Sequence, residues 1–297
     1  MFKSGFVALV GRASVGKSTL LNACYGGKIA ITSRVCQTTR KRLRAVLTSE
    51  HSQIILVDTP GLHKPKDALG KELNACALGE LAGVDVVSFL LDASAPVGRG
   101  DEWVCKRVEE SHAPVKLLVL TKADKVNKET LDTQLSAARK LAHFTDEIVV
   151  SAKTGFCVDE YLKLVESYLP EGPLWLGEDV DVDARDEDLI AEFIREKILR
   201  ATKDEIPHSI AVVVEEMVWR HRDLCSIRAR IMVEREGQKA IIIGKRGAFI
   251  KQIGMRARTD IEKLLGARVF LDLSVEVRPL WRRDTQEIRR LGLEYHE

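Results

Sequence analysis

No apolar run here approaches the roughly 18 residues that a membrane-spanning helix needs, so no transmembrane segment is expected. Charge imbalance is also small: 46 basic against 44 acidic residues leave +2. That is too little to argue for nucleic acid in bulk, so any basic surface must be sought locally. The six cysteines (Cys24, Cys36, Cys76, Cys105, Cys157, Cys225) form no CxxC pair, and none lies near a histidine at ligand spacing. This argues against a structural zinc site and reads as reduced thiols in a cytosolic protein. The apolar start, Phe6–Val10, is too short for a signal peptide and runs into a glycine loop instead of a cleavage site. It reads as a first strand. No internal repeat or low-complexity tract occurs.

The 297 residues are enough for two domains. Over residues 1–170, short apolar runs (Phe6–Val10, Ile54–Val57, Val86–Leu91, Val115–Leu120, Ile148–Val150) alternate with segments of helical spacing such as Thr130–Ala142. Such a pattern predicts an α/β domain with a mostly parallel sheet covered by helices on both faces. Arg44–Thr48 should add an antiparallel edge hairpin. Pro170-Glu-Gly-Pro173 then breaks structure, and the acidic run from Glu178 to Asp188 reads as a solvated linker, placed at 171–185. Residues 186–297 follow the order helix, strand, strand, helix, helix, strand, an α+β module.

Gly11-Arg12-Ala13-Ser14-Val15-Gly16-Lys17-Ser18-Thr19 matches GxxxxGK[ST] between a strand and a helix, the context that the motif requires. Its backbone N–H groups can cradle phosphates, Lys17 can reach the β- and γ-phosphates, and the Ser18 hydroxyl can ligate Mg²⁺. Asp58-Thr59-Pro60-Gly61-Leu62 follows the next strand. Asp58 can hold Mg²⁺ through water, and Gly61 can offer its N–H to the γ-phosphate. Thr121-Lys122-Ala123-Asp124 ends another strand. Asp124 can accept from guanine N1–H and its 2-amino group; adenine lacks both donors, so ATP is disfavoured. Ser151-Ala152-Lys153 can supply a backbone N–H to guanine O6. Each tetrapeptide alone is a surface turn, but four in order at strand C-termini describe a nucleotide site.

These motifs resemble those of the translation-factor-like GTPases. Ala30-Ile-Thr-Ser-Arg-Val-Cys-Gln-Thr38-Thr39-Arg40 and Asp58-Thr-Pro-Gly-Leu-His63 further resemble the Era-type GTPases. The resemblance implies a P-loop GTPase domain in which a threonine of the Thr38–Thr39 pair closes over Mg²⁺ and the γ-phosphate. Thr39, directly before Arg40, is favoured. Arg40 itself could act as a charge-stabilising finger, but reads rather as a surface residue of the switch. Lys17, Ser18, Thr39, Asp58 and Gly61 are then the catalytic set, with GTP and GDP as ligands.

Three positions bear on this carry-over. Ser14 stands where the family has an asparagine that helps hold potassium in related GTPases, so potassium stimulation is not expected. Thr121 replaces the asparagine of the guanine motif. Leu62 occupies the position where many GTPases carry a water-orienting glutamine, and a slow intrinsic turnover of about 10⁻⁴–10⁻² s⁻¹ follows.

Between Lys239 and Arg258 the charged residues are all basic, and Gly244-Lys245-Arg246-Gly247 lies between two helical segments. This is the KH signature, a loop that clamps about four nucleotides of single-stranded RNA. With two strands before it, the module resembles the prokaryotic (type II) KH arrangement. Val233–Lys239 and Phe193–Lys197 extend the Era-type resemblance over essentially the whole chain. It implies binding of the 3′ region of small-subunit (16S) ribosomal RNA and a role in 30S maturation, linked to growth and division. It also implies a monomeric, cytoplasmic protein with peripheral inner-membrane association, although no amphipathic anchor stands out. Lys245, Arg246, Lys251 and Arg256 are the expected RNA contacts, and Trp281, Arg282, Arg283, Arg289 and Arg290 could stack on bases or pair with phosphates. Docking of the terminal segment is a comparable role for Trp281. An ATPase or phosphotransferase with an RNA module, and a non-enzymatic assembly factor, are the alternative functions.

Overall fold

The computed structural model describes residues 1–33, 39–40, 43–65, 67–202 and 206–293. Thr38 and Cys36 therefore lie outside the described residues, whereas Thr39 and Arg40 are within them. The N-terminal domain runs β1 (Lys3–Val10), α1 (Lys17–Tyr25), β2 (Leu43–Thr48), β3 (Ser52–Asp58), α2 (Ala68–Gly79), β4 (Val86–Asp92) and α3 (Arg99–Glu109). It continues with β5 (Val115–Thr121), α4 (Lys128–Ala138), β6 (Asp146–Val149), α5 (Val158–Tyr168) and the short β7 (Val182–Asp183). The C-terminal domain contains α6 (Asp186–Ala201), α7 (Ile206–Ser209), β8 (Ala211–His221), β9 (Leu224–Val233), α8 (Glu236–Ile243), α9 (Ala248–Leu265), β10 (Arg268–Val277) and α10 (Thr285–Arg290).

The first sheet has seven strands in the order β6-β5-β4-β1-β3-β2-β7. β1 pairs in parallel with β3 on one side and β4 on the other, so the strand order reverses there and opens a crevice at the strands' C-terminal ends. β3 is buried at every position because helices cover both faces, which is why its apolar run is continuous and not alternating. β2 closes the edge antiparallel to β3. In the second sheet β9 lies between β8, antiparallel, and β10, parallel. Cys225, Ile227, Ala229 and Ile231 point from β9 to a core shared with α6 and α9, while Arg228 and Arg230 occupy the open face among acidic residues. Among the described residues no helix is long and apolar enough to cross a membrane.

The segment read as a solvated linker keeps its acidic side chains exposed but is also strapped to the first domain. Gln53, fully buried on β3, accepts from the N–H groups of Trp175 (2.8 Å) and Leu176 (3.1 Å) and donates to the Leu176 carbonyl (2.9 Å). Trp175 lies 5.8 Å from the Phe6 ring, and Val182–Asp183 pairs with β2. A buried amide needs partners, and the strap's backbone supplies them. The acidic composition was legible, but this buried glutamine was not recognisable as its anchor.

α6 joins the two domains. Its first turn carries Asp186, Glu187 and Asp188, which suit the positive end of the helix dipole. From Leu189 to Leu199 almost every residue is buried, because the first domain covers one side and the second sheet the other. The Glu196 side chain is fully buried and receives Lys28 (2.5 Å), the Thr32 N–H (3.1 Å), Lys197 (2.9 Å) and Arg200 (2.8 Å). Lys28 and Lys197 also meet Asp260 of α9. Burial alone would raise the Glu196 carboxyl, but these hydrogen bonds outweigh it and hold it below the ordinary glutamate value.

A carboxyl depressed in the folded state contributes stability that is complete above its unfolded value, about 4.3. That contribution is lost as pH falls through the folded value. Glu196→Gln should therefore remove on the order of 3 kcal/mol at neutral pH, read as a lower urea midpoint. The difference from wild type should shrink on acidification below about pH 4.

Candidate functional site

The loop between β1 and α1 begins as the buried strand ends and turns into the helix through Gly16, at φ 111°. It borders a cleft of about 360 Å³ lined by Ala13, Ser14, Gly16, Lys17, Ser18, Thr19, Thr39, Gly61 and Lys122, among others. Lys17 is 5% exposed, and its ammonium donates to the carbonyls of Gly11 (3.3 Å) and Arg12 (3.1 Å). Burial lowers its pKa, only partly opposed by Asp58. A buried cation held by neutral carbonyls at the start of a helix fits an anionic ligand such as a polyphosphate. Arg12 turns its side chain away to Asp101, at 2.7 Å, so its contribution to the cleft is backbone. Val15 packs into the core below the loop.

The second loop presses against the first. A Cβ on Gly61 would stand 2.8 Å from both N and Cα of Ala13, so only glycine allows this approach. The Thr59 hydroxyl is spent on the Leu9 carbonyl, at 2.9 Å, and Pro60 is buried behind it. Leu62 is 1% exposed and belongs to the core under β1 and β4. Its side chain is therefore not in the cleft, where sequence reasoning had included it. Only its N–H, which donates to the Gly11 carbonyl at 3.3 Å, ties it to the phosphate loop.

Three oxygens converge beside Lys17. Ser18 Oγ lies 2.9 Å from Thr39 Oγ1 and donates to Asp58 Oδ2 at 2.6 Å, while Thr39 Oγ1 donates to the same oxygen at 3.1 Å. Neighbouring ligands around a magnesium ion with bonds of about 2.1 Å stand about 3 Å apart, so the two hydroxyls, 2.9 Å apart, fit adjacent positions on a hard divalent cation, with the Asp58 carboxylate behind them. Burial raises the Asp58 carboxyl against the opposing influence of Lys17, Ser18 and Thr39. Its Oδ1 is buried with no hydrogen-bond partner among the described residues, a lone pair suited to a metal-bound water.

At the base end, the Thr121 hydroxyl reaches two carbonyls, Val15 at 2.6 Å and Leu91 at 3.0 Å. It has one proton for both. Lys122, at φ 59°, donates to the Ser14 carbonyl (2.7 Å) and to Asp92 at the end of β4. Burial would raise Asp92, but Lys122 and Ser94 hold it below the ordinary aspartate value. Asp92 escaped sequence reasoning, although an acid closing an apolar strand is a readable signal. Asp124 accepts from Ser151 Oγ at 2.7 Å, with Lys153 Nζ 3.9 Å from its other oxygen. Ala123 is tied to the next strand through the Val150 carbonyl (3.3 Å), which places Ala152 beside it.

The second glycine loop has a different build. Gly244 adopts φ 72° and ψ 173°, and a Cβ there would stand 2.6 Å from Phe249 Cβ. Arg246 (φ 53°) and Gly247 (φ 74°) complete a tight reversal between α8 and α9. Ile253, Ala257 and Ile261 anchor α9 inward, leaving Lys245, Arg246, Lys251, Arg256 and Arg258 exposed on one module.

At the C-terminus one of the two expected roles of Trp281 holds, and at the switch one expectation needs correction. Trp281 is fully buried, its indole N–H donating to the Ser209 carbonyl at 2.9 Å, so it docks the terminal segment and offers no face to a base. Arg282 bridges Glu234 (2.9 Å) and Asp67 (3.5 Å), whereas Arg283, Arg289 and Arg290 are exposed. Arg40 is 3% exposed, not a surface residue, and sits in the interface between the two domains.

Because the Thr121 hydroxyl can satisfy only one carbonyl at a time, an amide with two N–H donors should bind the phosphate loop more firmly. Thr121→Asn is expected to tighten GDP binding about tenfold, the worth of one added hydrogen bond, in a fluorescence titration.

Residues 6–122 match the family of 50S ribosome-binding GTPases, and residues 205–282 match the KH domain. The whole fold is similar to Era in complex with MgGDPNP and nucleotides 1506–1542 of 16S ribosomal RNA. The identity is 37% and the TM-score 0.95, over 99% of this chain and 100% of that one. A variant of Aquifex aeolicus Era bound to GDP·AlF4⁻ matches with the same identity, TM-score and coverage. With the nucleotide motifs and the KH loop in their expected order and a match that runs from end to end, the chain belongs to the Era family of KH-domain GTPases.

Proposed function

We propose that this GTPase is a switch that binds the 3′ region of 16S ribosomal RNA through its KH domain and acts in maturation of the 30S subunit. The observation that carries the reading is the joining, through α6, of a phosphate-and-metal cleft to a basic glycine loop. The solved relative with the same full-length architecture holds MgGDPNP and 16S nucleotides. The reading makes the protein cytoplasmic and able to act as a monomer.

In this reading Lys17 meets the β- and γ-phosphates, and the N–H groups of the Gly11–Ser18 loop and of Gly61 surround them. Ser18, Thr39 and, through water, Asp58 hold Mg²⁺, which neutralises charge on the phosphate oxygens when bound. Asp124 selects guanine, Thr121 and Lys122 brace the base loop against the phosphate loop, and Ser151–Lys153 close its far side. Since Leu62 is buried, the attacking water is positioned without a side chain from that residue, which fits a slow basal rate. The Gly244–Gly247 loop lies along the RNA backbone, with Lys245, Arg246, Lys251 and Arg256 meeting phosphates. Arg283 extends the charged surface.

Steady-state GTP hydrolysis with and without an RNA fragment of the 16S 3′ end tests the proposal. The fragment should raise turnover, and rates in sodium and potassium should match, because Ser14 replaces the potassium-binding amide. Equal affinity for ATP and GTP would sink the guanine reading, and absence of phosphate release with RNA present would make the chain a non-enzymatic assembly factor. Lys17→Ala should abolish nucleotide binding and retain RNA affinity; loss of both together would contradict two separable sites.

A further inference from the structure

Arg40 is a buried guanidinium one residue from the Thr39 hydroxyl that meets Ser18 and Asp58. It donates to the carbonyls of Ile210 (2.5 Å) and His208 (3.3 Å), and lies 5.6 Å from the Trp281 ring. The intervening Ser209 carbonyl accepts from Trp281 Nε1 at 2.9 Å. Three successive carbonyls of the α7–β8 corner are thus divided between a switch arginine and a tryptophan of the C-terminal segment. Trp281 packs in turn with Leu69 and Leu73 of α2, with Ile288 of α10 and with Leu291 just after it. Arg282, its neighbour, reaches Asp67, which caps α2.

The energetics of this contact are those of a joint that can open. Burial and the nearby Arg195 and Arg282 weigh against the Arg40 cation, and the Glu192 and Asp67 carboxylates oppose them only in part, so its pKa is lowered. Its two bonds are to neutral carbonyls, and its Nε is buried with no partner among the described residues. An imperfectly compensated buried charge contributes little net stability, so its best-attested use is in registry or switching. Mechanically the link to Thr39 is short, since adjacent Cα atoms are about 3.8 Å apart. A seated Arg40 guanidinium therefore restrains how far the Thr39 backbone can move from Ser18.

We infer that Arg40 is a positioning residue for GTP hydrolysis: seated against Trp281 and the Ile210 carbonyl, it holds Thr39 at the metal site only while the KH domain's C-terminal segment is docked. The inference rests on the reading of Thr39 as a ligand of the metal. It makes hydrolysis answer to the RNA-binding domain through one side chain. Glu196 and Arg200 hold Thr32 on the other side of the switch, and Arg40 is the only one of these contacts adjacent to the Thr39 hydroxyl.

The test compares wild type with Thr39→Ala, Arg40→Ala, Arg40→Lys and the Thr39→Ala/Arg40→Ala double variant. Measured quantities are kcat, KM, the Mg²⁺ concentration for half-maximal turnover, affinities for GDP and GDPNP, and affinity for the 16S 3′ fragment. Arg40→Ala should lower kcat between about tenfold and a hundredfold, the cost of a displacement of about 1 Å. It should also raise the Mg²⁺ requirement and weaken GDPNP, leaving GDP and RNA affinities within about twofold and turnover no longer responsive to RNA. The double variant should be no slower than Thr39→Ala, because both remove one interaction. Arg40→Lys, which can reach one carbonyl but not bridge two, should fall between.

Wild-type turnover and Mg²⁺ requirement in Arg40→Ala, alongside a slow Thr39→Ala, would overturn the role of Arg40 and leave that of Thr39 intact. An unimpaired Thr39→Ala would overturn the reading of Thr39 and the inference with it. If Arg40→Ala fails to bind GDP, Arg40→Lys decides: slower turnover with intact GDP binding supports the inference, and wild-type kinetics reject it.

Discussion

Glu196 carries the geometry of the whole molecule. Its buried carboxylate takes hydrogen bonds from two lysines, an arginine and a backbone N–H, drawn from both domains. A carboxylate so placed is tolerable only with every donor present, so α6 cannot slide relative to α1 or to the start of the switch without exposing an uncompensated charge. The apolar side chains of α6 supply the burial, and Glu196 supplies the register. Once α6 is registered, the α7–β8 corner falls beside Arg40 and the C-terminal segment falls on α2.

The two glycine loops show how similar sequences serve different phosphates. In Gly11–Ser18, four residues between glycines wrap a pocket, a buried lysine faces inward, and a hydroxyl stands with Asp58 and Thr39. In Gly244–Gly247 only two residues intervene, both cations point to solvent, and the backbone reverses through three residues of positive φ. The first is shaped to enclose a terminal phosphate; the second is too short for that and suits a chain of them.

Much of the site was legible because it consists of local rules. A strand, a glycine loop and a helix must be contiguous to hold phosphate, so Gly11–Ser18, Asp58–Gly61 and Thr121–Asp124 could each be placed at a strand end from spacing alone. Positions that depend on a distant partner were left open or misread. Trp281 among arginines reads equally as a base-stacking or a docking residue until the Ser209 carbonyl claims its N–H and decides for docking. Arg40 in a polar switch looks solvated until the corner at 208–210 closes over it. The acidic run looks like a free linker until Gln53 binds the chain just before it.

The sequence alone thus determined the fold class, the order of the two domains and the chemistry of both glycine loops, because hydrophobic period and motif spacing act within about one strand–loop–helix unit. Only the tertiary structure decided which polar residues are spent on holding the domains together. Glu196, Arg40 and Trp281 find their partners across 70 to 170 positions of chain, and no local pattern encodes a pairing at that range.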